Sequence, residues 1–208
     1  MADNLHIRPL NLDDLSSVVE VHLHSFPGFF LTFLGPGFLR LLYRNIAADP
    51  EGILLVAEVD NTLAGFVAGV THQNGFYRRL IQHQKWAFAW AAVGAVARRP
   101  SILPRLWRAL RRPTEAAEST AEACLMSIAV HPEFQGRGIG TQLVEAFCQE
   151  LTEREASAVC LTTDRDNNEA TNQFYQRLNF RLARSFITPE GRAMNEYVRN
   201  LQEGKPHA

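Results

Sequence analysis

The chain of 208 residues lacks segments that would direct it to or through a membrane. No run of about 18 apolar residues appears, which argues against a membrane-spanning helix. The first residues, MADNLHIRPLNLDD, include acidic side chains and no apolar core, so no signal peptide is predicted. Hydrophobic residues make up 46% and charged residues 21% of the chain, as in ordinary globular proteins. We therefore expect one cytoplasmic domain over residues 1–208.

Cysteine is scarce, and its spacing argues against a metal site. Cys124, Cys148 and Cys160 lie in apolar periodic segments without a CxxC or Cys/His pattern. Cysteines in such segments are expected to be buried free thiols of a protein kept in a reducing compartment. No structural or catalytic metal is predicted.

Acidic residues are absent from Asn61 to Thr114, a stretch that contains nine Arg and Lys residues. The whole chain has 21 basic and 22 acidic residues, so the remainder has 12 basic and 22 acidic ones, a charge of −10. That charge would repel phosphates, which makes nucleic acid the least favoured partner. The charge is therefore divided between a basic middle stretch and an acidic remainder.

Hydrophobic periodicity predicts strands and helices in alternation around one mixed sheet. The predicted strands are 5–10, 53–59, 63–72, 123–130, 158–163, 180–187 and 193–201. The predicted helices are 12–26, 38–47, 139–153 and 167–178, with an aromatic-rich loop over 27–37. A mostly helical insertion is expected over 73–119. Leu15, Val18, Val19 and His22 lie at helical spacing and form the buried face of the first helix.

Three glycines lie at alternate positions where a strand is followed by a helix, in HPEFQGRGIGTQLV (131–144). Gly136, Gly138 and Gly140 let the backbone approach a ligand closely, and the unpaired N–H groups at a helix N-terminus bind phosphate. A diphosphate is therefore the implied ligand. The Walker pattern GxxxxGK[ST] is absent, and the third glycine lies one position too early for the dinucleotide pattern GxGxxG.

The spacing Q-x-x-G-x-G at Gln135, Gly138 and Gly140 instead resembles the coenzyme A signature of the GNAT superfamily of acetyltransferases. A second segment, DNNEATNQFYQRLNF, is similar to the pattern N-E-A-x-N-x-F-Y-x-x-L-G-F of many such enzymes. Its matching residues are Asn168, Phe174, Tyr175, Leu178 and Phe180, with Asn179 in place of the usual glycine. Asn tolerates positive φ better than other non-glycine residues, so the helix can still end there.

The resemblance implies an α/β (α+β) fold with a GNAT-like mixed, mostly antiparallel central sheet flanked by helices. The helical insertion then lies between the third and fourth strands, and 120–182 forms the acetyl-CoA-binding core. Acetyl-CoA is the implied donor and a primary amine the implied acceptor. The implied cofactor-binding residues are Ile128, Ala129, Val130, Gln135, Gly136, Arg137, Gly138, Ile139, Gly140, Thr141 and Asn168.

Three steps of acetyl transfer imply roles for individual residues. A backbone N–H near Ala129 or Val130, where neighbouring strands are expected to separate, would stabilise the oxyanion. Tyr175 would donate a hydrogen bond or proton to the leaving thiolate, although a half-buried packing tyrosine is the alternative. Asn168 would hold the pantetheine arm or cap its helix. The helix face formed by Ala170, Phe174 and Leu178 is expected to lie in the core.

The general base is not determined by the sequence. Glu58, His72, Glu122 and Asp164 are all candidates, and each could equally be a solvated or structural residue. An amine of modest pKa that loses its proton through water needs none of them.

The insertion is expected to decide the acceptor. WAFAWAAVGAVA is apolar around the whole helix and should be buried, whereas PRLWRALRR is basic and amphipathic. The alternatives are a lid with solvated arginines, a site for an anionic acceptor, a contact with a membrane surface or lipid-linked substrate, and a homodimer contact. A small-molecule acceptor such as an amino sugar is preferred to a protein N-terminus or lysine. Transfer to a hydroxyl, transfer of a longer acyl chain, and a binding or regulatory module without activity remain open.

Overall fold

The computed structural model describes residues 4–73, 76, 79, 86–91, 93 and 121–202. The strands are β1 Leu5–Pro9, β2 Gly52–Val59, β3 Thr62–Val70, β4 Ala123–Val130, β5 Ala158–Asp164, β6 Arg181–Ile187 and β7 Ala193–Asn200. The helices bounded within these ranges are α1 Leu15–Ser25, α2 Phe30–Leu34, α3 Pro36–Ala48, α4 Ile139–Glu153 and α5 Glu169–Arg177. A 3-10 turn, Leu12–Asp14, precedes α1, and a second one, Pro132–Phe134, follows β4.

Seven strands of the described chain form one sheet in the order β1-β2-β3-β4-β5-β7-β6. All neighbours are antiparallel except β4 and β5, which are parallel. The predicted mixed, mostly antiparallel sheet is therefore confirmed. The β2–β3 hairpin closes at Asp60 and Asn61, both with positive φ (48° and 64°), which matches the strand twist in a two-residue turn.

The sheet is covered on both faces. α4 packs on one face through Leu143, Phe147 and Leu151, which are fully buried with β2, β3 and β4. α1 and α3 cover the other face, where Leu39 and Tyr43 are fully buried. Apolar residues on one stripe of each helix explain why these segments dock on the sheet.

A β-bulge interrupts β4. Ala68 is opposite Ser127 and Gly69 is opposite Leu125, so Met126 is an extra residue without a partner on β3. As a result, Met126 and Ser127 both lie on the face covered by α1 and α3, where Ser127 contacts Tyr43. The alternation of side chains in the second half of β4 is thereby shifted by one residue.

Two expectations for the α1–α3 region and the insertion are wrong. The predicted loop 27–37 contains the short helix α2, whose Leu34 is buried against the neighbouring phenylalanines. In the insertion, Phe88 is buried against Phe38, but Trp86 and Trp90 are 72% and 76% exposed. In the described part of the apolar segment, residues 86–91 and 93, Phe88 is therefore the buried side chain. The basic stretch PRLWRALRR lies outside the described residues, and no helix within them is long and apolar enough to cross a membrane.

Candidate active site

A cleft opens where β4 and β5 separate. The two strands pair only at Ala123–Val159 and Cys124–Cys160, so they diverge over the rest of β4. The cleft has a volume of about 900 Å³ and is lined by both strands, α1, α5 and the segment that follows α1. The separation predicted near the end of β4 is therefore present. Backbone groups on the two facing strand edges are left without a ladder partner there.

The backbone hydrogen bonds between β3 and the end of β4 show which backbone groups of β4 point into the cleft. His131 N donates to Ala64 O at 2.8 Å, so the backbone of His131 faces β3. Because successive residues of a strand alternate, the peptide groups of Val130 and Ile128 face β5. The Val130 carbonyl accepts from Ser25 Oγ at 3.2 Å and from Gln135 Nε2 at 3.4 Å. Of the two residues proposed for the oxyanion, Val130 has the amide on the cleft side.

The glycine loop lies at the mouth of this cleft and leads into α4. Gly136 and Gly138 both have φ +77°, and Gly138 is the N-cap of α4. This left-handed conformation is readily adopted only by glycine. The amides of Ile139, Gly140 and Thr141 form the first turn of α4 and have no acceptor within that helix. A Cβ on Gly140 would lie 3.6 Å from Phe174 Cζ, an ordinary contact, so this third glycine is not required by backbone conformation.

Tyr175 lines the opposite wall of the cleft from α5. It is 6% exposed, and its ring packs 5.1 Å from Phe174 and 5.7 Å from Phe180. Burial raises the pKa of Tyr175 to about 12. The phenol is thus neutral at physiological pH and able to donate a hydrogen bond into the cleft.

An asparagine pair fixes α5 to the end of β5. Asn168 is the N-cap residue of α5, but its side chain makes no capping hydrogen bond; its amide donates to Thr163 Oγ1 at 2.8 Å and to Asp164 O at 3.0 Å. Of the two roles expected for Asn168, side-chain capping is therefore not observed. Asn172 accepts from Tyr197 OH at 2.9 Å and donates to Asp164 O at 3.1 Å. The hydrogen bonds of Asn172, which were not predicted from the sequence, hold α5 in place and so position Tyr175.

The face of α5 that packs on the sheet differs from the predicted one. Asn172, Tyr175 and Leu178 are buried, whereas Ala170 is exposed. Phe174 is half-buried and lines the cleft. The expectation that Ala170 and Phe174 lie fully in the core is therefore wrong. The buried stripe is displaced because Asn172 is held by hydrogen bonds, which apolar periodicity does not detect.

Phenylalanines and one ion pair form the outer part of the cleft. Phe26, Phe29 and Phe30 line it from the segment between α1 and α2. Across from them, Arg192 donates to Asp164 Oδ1 at 2.8 Å and Oδ2 at 2.7 Å. The Arg192 guanidinium also lies 5.7 Å from the centre of the Phe29 ring. This part of the cleft can therefore contact both apolar and hydroxyl-bearing groups.

Of the four candidate bases, only Asp164 lines the cleft. Its carboxylate is already paired with the Arg192 guanidinium. His72 lies 2.9 Å from Glu51 and 3.4 Å from Glu122, beyond the other end of β4. Ala123, at that end of β4, is seven residue steps from Val130, roughly 23 Å. Glu58 is paired with Arg8 at 2.9 Å outside the cleft. Within the described residues, no cluster of three His, Cys, Asp or Glu side chains could hold a metal ion.

Sequence comparison identifies the family of the chain. The profile of the acetyltransferase (GNAT) family matches residues 20–180. N-alpha-acetyltransferase 30 of Schizosaccharomyces pombe is 36% identical over 62 residues, which are 30% of this chain and 41% of that protein. The likeness to this relative is thus confined to less than half of its length.

Solved structures share the architecture. Ard1 from Thermoplasma volcanium has a TM-score of 0.61 and 17% identity, over 96% of this chain and 99% of Ard1. The structure of yncA from Salmonella typhimurium with its cofactor acetyl-CoA has a TM-score of 0.61 and 13% identity, over 99% of this chain and 98% of yncA. At such identities the likeness concerns the fold alone. With the family profile spanning most of the sequence, the chain belongs to the GNAT family of acetyltransferases.

Proposed function

We propose that this chain is an N-acetyltransferase that moves the acetyl group of acetyl-CoA to a primary amine by direct attack in a ternary complex. The cleft between β4 and β5, bordered by the first turn of α4 and by Tyr175, carries the proposal. In this reaction the amine nitrogen bonds to the thioester carbonyl carbon and the carbon–sulfur bond breaks. The amine proton leaves to solvent, and the departing sulfur is protonated.

The residues around the cleft fit the donor. The amides between Gly136 and Thr141 can surround a diphosphate, since a helix N-terminus favours anions. The unpaired edge of β4 can bind the amide-containing pantetheine arm as an added strand would bind. The Val130 amide, which faces the gap, is then placed to stabilise negative charge on the carbonyl oxygen. Six of the residues expected to bind acetyl-CoA line the cleft, which supports their assignment: Ile128, Ala129, Val130, Gln135, Gly140 and Asn168.

Tyr175 supports the leaving step. Its phenol lies in the wall of the cleft on the β5 side and stays neutral because burial raises its pKa to about 12. It can therefore stabilise the departing thiolate by a hydrogen bond. Complete transfer of its proton is costly, so solvent or a late transfer supplies the proton that the sulfur finally holds.

The outer cleft supports a small polar acceptor such as an amino sugar. Sugar rings stack on aromatic side chains, which Phe26, Phe29 and Phe30 provide, and their hydroxyls bond to charged groups such as Asp164 and Arg192. A peptide N-terminus is the second candidate. It is favoured by the similarity to a protein named N-alpha-acetyltransferase 30.

Thiol release from acetyl-CoA tests the activity and the acceptor together. The panel contains glucosamine, a nucleotide-linked amino sugar, spermidine, a peptide with a free N-terminus, and the same peptide with only its internal lysine free. We expect release with an amino sugar. Release only with the free N-terminus would favour the second candidate. Binding of coenzyme A without release under any amine would identify a binding or regulatory module.

A matched pair of variants tests the diphosphate site by calorimetry. Gly138 and Gly191 have nearly the same backbone angle, φ +77° and +83°, and a Cβ added at either position would meet open space. Alanine at either position should cost about 1 kcal/mol of stability through the left-handed backbone. Only Gly138→Ala should weaken acetyl-CoA binding, because Gly191 lies in the β6–β7 turn. Equal affinity of both variants would contradict the assigned loop.

We further propose that the insertion contacts an anionic membrane surface. Trp86 and Trp90 lie one helical turn apart and are largely exposed, within a stretch that carries nine basic residues. Tryptophan with basic residues is typical of interfacial helices. Flotation with phosphatidylglycerol vesicles should recover the protein, and the Trp86→Ala/Trp90→Ala variant should float less. Dimerisation without flotation, measured by light scattering, would favour a contact between copies.

A further inference from the structure

His22 is a buried polar side chain in the wall of the cleft, and the reaction above does not use it. It lies on α1, is 2% exposed, and lines the cleft. Its ring centre lies 4.8 Å from that of Phe26, 5.8 Å from Tyr43 and 6.4 Å from Phe66. Aromatic rings thus enclose the imidazole on several sides.

A hydrogen-bonded chain determines which nitrogen of His22 carries the proton. His22 Nδ1 lies 2.7 Å from Tyr43 OH, and Tyr43 OH donates to Ser127 Oγ at 3.2 Å. With the phenol proton directed at Ser127, the matching tautomer of His22 has its proton on Nδ1, which donates to the phenol oxygen. A neutral imidazole has a single N–H, so Nε2 has a lone pair.

Nε2 has no partner for that lone pair. The atom is buried, and no protein group in the described part of the chain hydrogen-bonds to it. Buried polar atoms are nearly always paired in native proteins, so an unpaired one in a cleft wall indicates a group that a ligand completes. His24, on the same helix, is exposed and has its own bond from Nδ1 to Glu20 O at 2.9 Å.

The position of His22 is beside the reacting end of β4. Phe66, on which the imidazole stacks, is the ladder partner of Ala129. Ser25, one turn further along α1, donates to Val130 O at 3.2 Å. α1 therefore places His22 next to the segment whose Val130 amide faces the cleft. It lies on the sheet face opposite α4 and the glycine loop.

We propose that His22 Nε2 accepts a hydrogen bond from the attacking nitrogen of the acceptor amine, directly or through one water. This contact rests on the proposed function, and it directs the nitrogen lone pair toward the thioester carbonyl. Burial lowers the pKa of His22 to about 4, so the imidazole remains neutral at physiological pH. It accepts a hydrogen bond and does not retain the proton, which continues to solvent as the amide forms.

Two substitutions separate the cleft contact from the structural bond to Tyr43. In His22→Gln the side-chain amide reaches the position of Nε2, whereas in His22→Asn it reaches the position of Nδ1. With ethylamine and with the best amine of the panel, His22→Gln should keep kcat/KM within about tenfold, and His22→Asn should lose about 100-fold. The KM for acetyl-CoA should stay unchanged in both, and His24→Asn should match the wild type. Equal losses, or a better-preserved His22→Asn, would overturn the proposal.

Nitrogen NMR of the full chain labelled with 15N-histidine gives a readout that does not depend on turnover. The His22 signals, identified by their loss in His22→Asn, should show Nδ1 protonated and Nε2 bare. Ethylamine added with coenzyme A should move the Nε2 signal. A protonated Nε2, or an unmoved signal under conditions where ethylamine is acetylated, would overturn the contact. Failure of every amine to react would refute the proposed function, and with an unmoved signal it would refute this contact as well.

Discussion

Replacement of Tyr175 by phenylalanine isolates one hydroxyl in an otherwise unchanged cleft. A free tyrosine that protonates a thiolate of pKa ~8.5 works uphill by about 2 kcal/mol. Burial raises the pKa of Tyr175 to about 12, so the same transfer costs about 5 kcal/mol by the equivalence of ~1.4 kcal/mol per pKa unit. The hydroxyl should therefore act by a hydrogen bond to the departing sulfur. Hydrogen bonds to charged groups contribute roughly 1.5–3 kcal/mol, equivalent to about a 100-fold change in kcat.

Steady-state kinetics with acetyl-CoA and the best amine of the panel measure this effect. Tyr175→Phe should lower kcat by about 100-fold and leave the KM for acetyl-CoA nearly unchanged. Tyr197→Phe is a matched control, because that ring lies 6.4 Å from Tyr175 and its hydroxyl bonds to Asn172. It should lower stability by about 1 kcal/mol with little effect on kcat. Unchanged turnover in Tyr175→Phe, or equal losses in the two variants, would refute the role.

Three further outcomes concern stability and reactivity. As the pH falls from 6.5 to about 4, the free energy of unfolding should fall by up to about 3 kcal/mol, because the unfolded chain binds a proton that buried His22 does not. Urea titrations should show this pH dependence in the wild type and not in His22→Gln. Gly69→Ala should cost about 1–3 kcal/mol in the same titrations, since its Cβ would lie 2.3 Å from Cys124 O and 2.4 Å from Phe147 Cζ; wild-type stability would contradict that packing. Burial raises the pKa of Cys148 to about 11, so mass spectrometry should detect iodoacetamide labelling only on unfolding, and rapid labelling of the folded protein would exclude the buried thiol.

The glycine loop and the helix after it were predictable because both depend on local chemistry. The helix over 139–153 has the predicted bounds, and Gly138 has the positive φ that the loop required. Helix α2 was missed because its five residues are held by burial of Leu34, which a short segment between Pro and Gly does not reveal. The exposed Trp86 and Trp90 show the same limit, since apolar composition does not say what covers a side chain.

The candidate bases could not be sorted from sequence because their order along the chain does not show which end of the sheet they occupy. His72 lies just after β3, and Asp164 is the last residue of β5. β3 and β5, however, run in opposite directions, so the two residues emerge at opposite ends of the sheet. His22 was recognised only as part of a buried helix face. Which of its nitrogens stays unpaired depends on the hydrogen bond to Tyr43, a residue of another helix.

The extra residue at Met126 sets the phase of the strand on which the reaction depends. After Met126, the even-numbered Ile128 packs toward α4 and the odd-numbered Ala129 packs toward α1. Before Met126, it is the odd-numbered Leu125 that packs toward α4. A regular ladder that kept Met126, with Met126 in place of Ser127 opposite Ala68, would interchange the two sides for every later residue of β4. The Val130 N–H would then turn toward β3, and Ser127 would turn away from Tyr43. Excision of Met126, by contrast, would keep Ser127 opposite Ala68 and would leave every later residue of β4 on its present side.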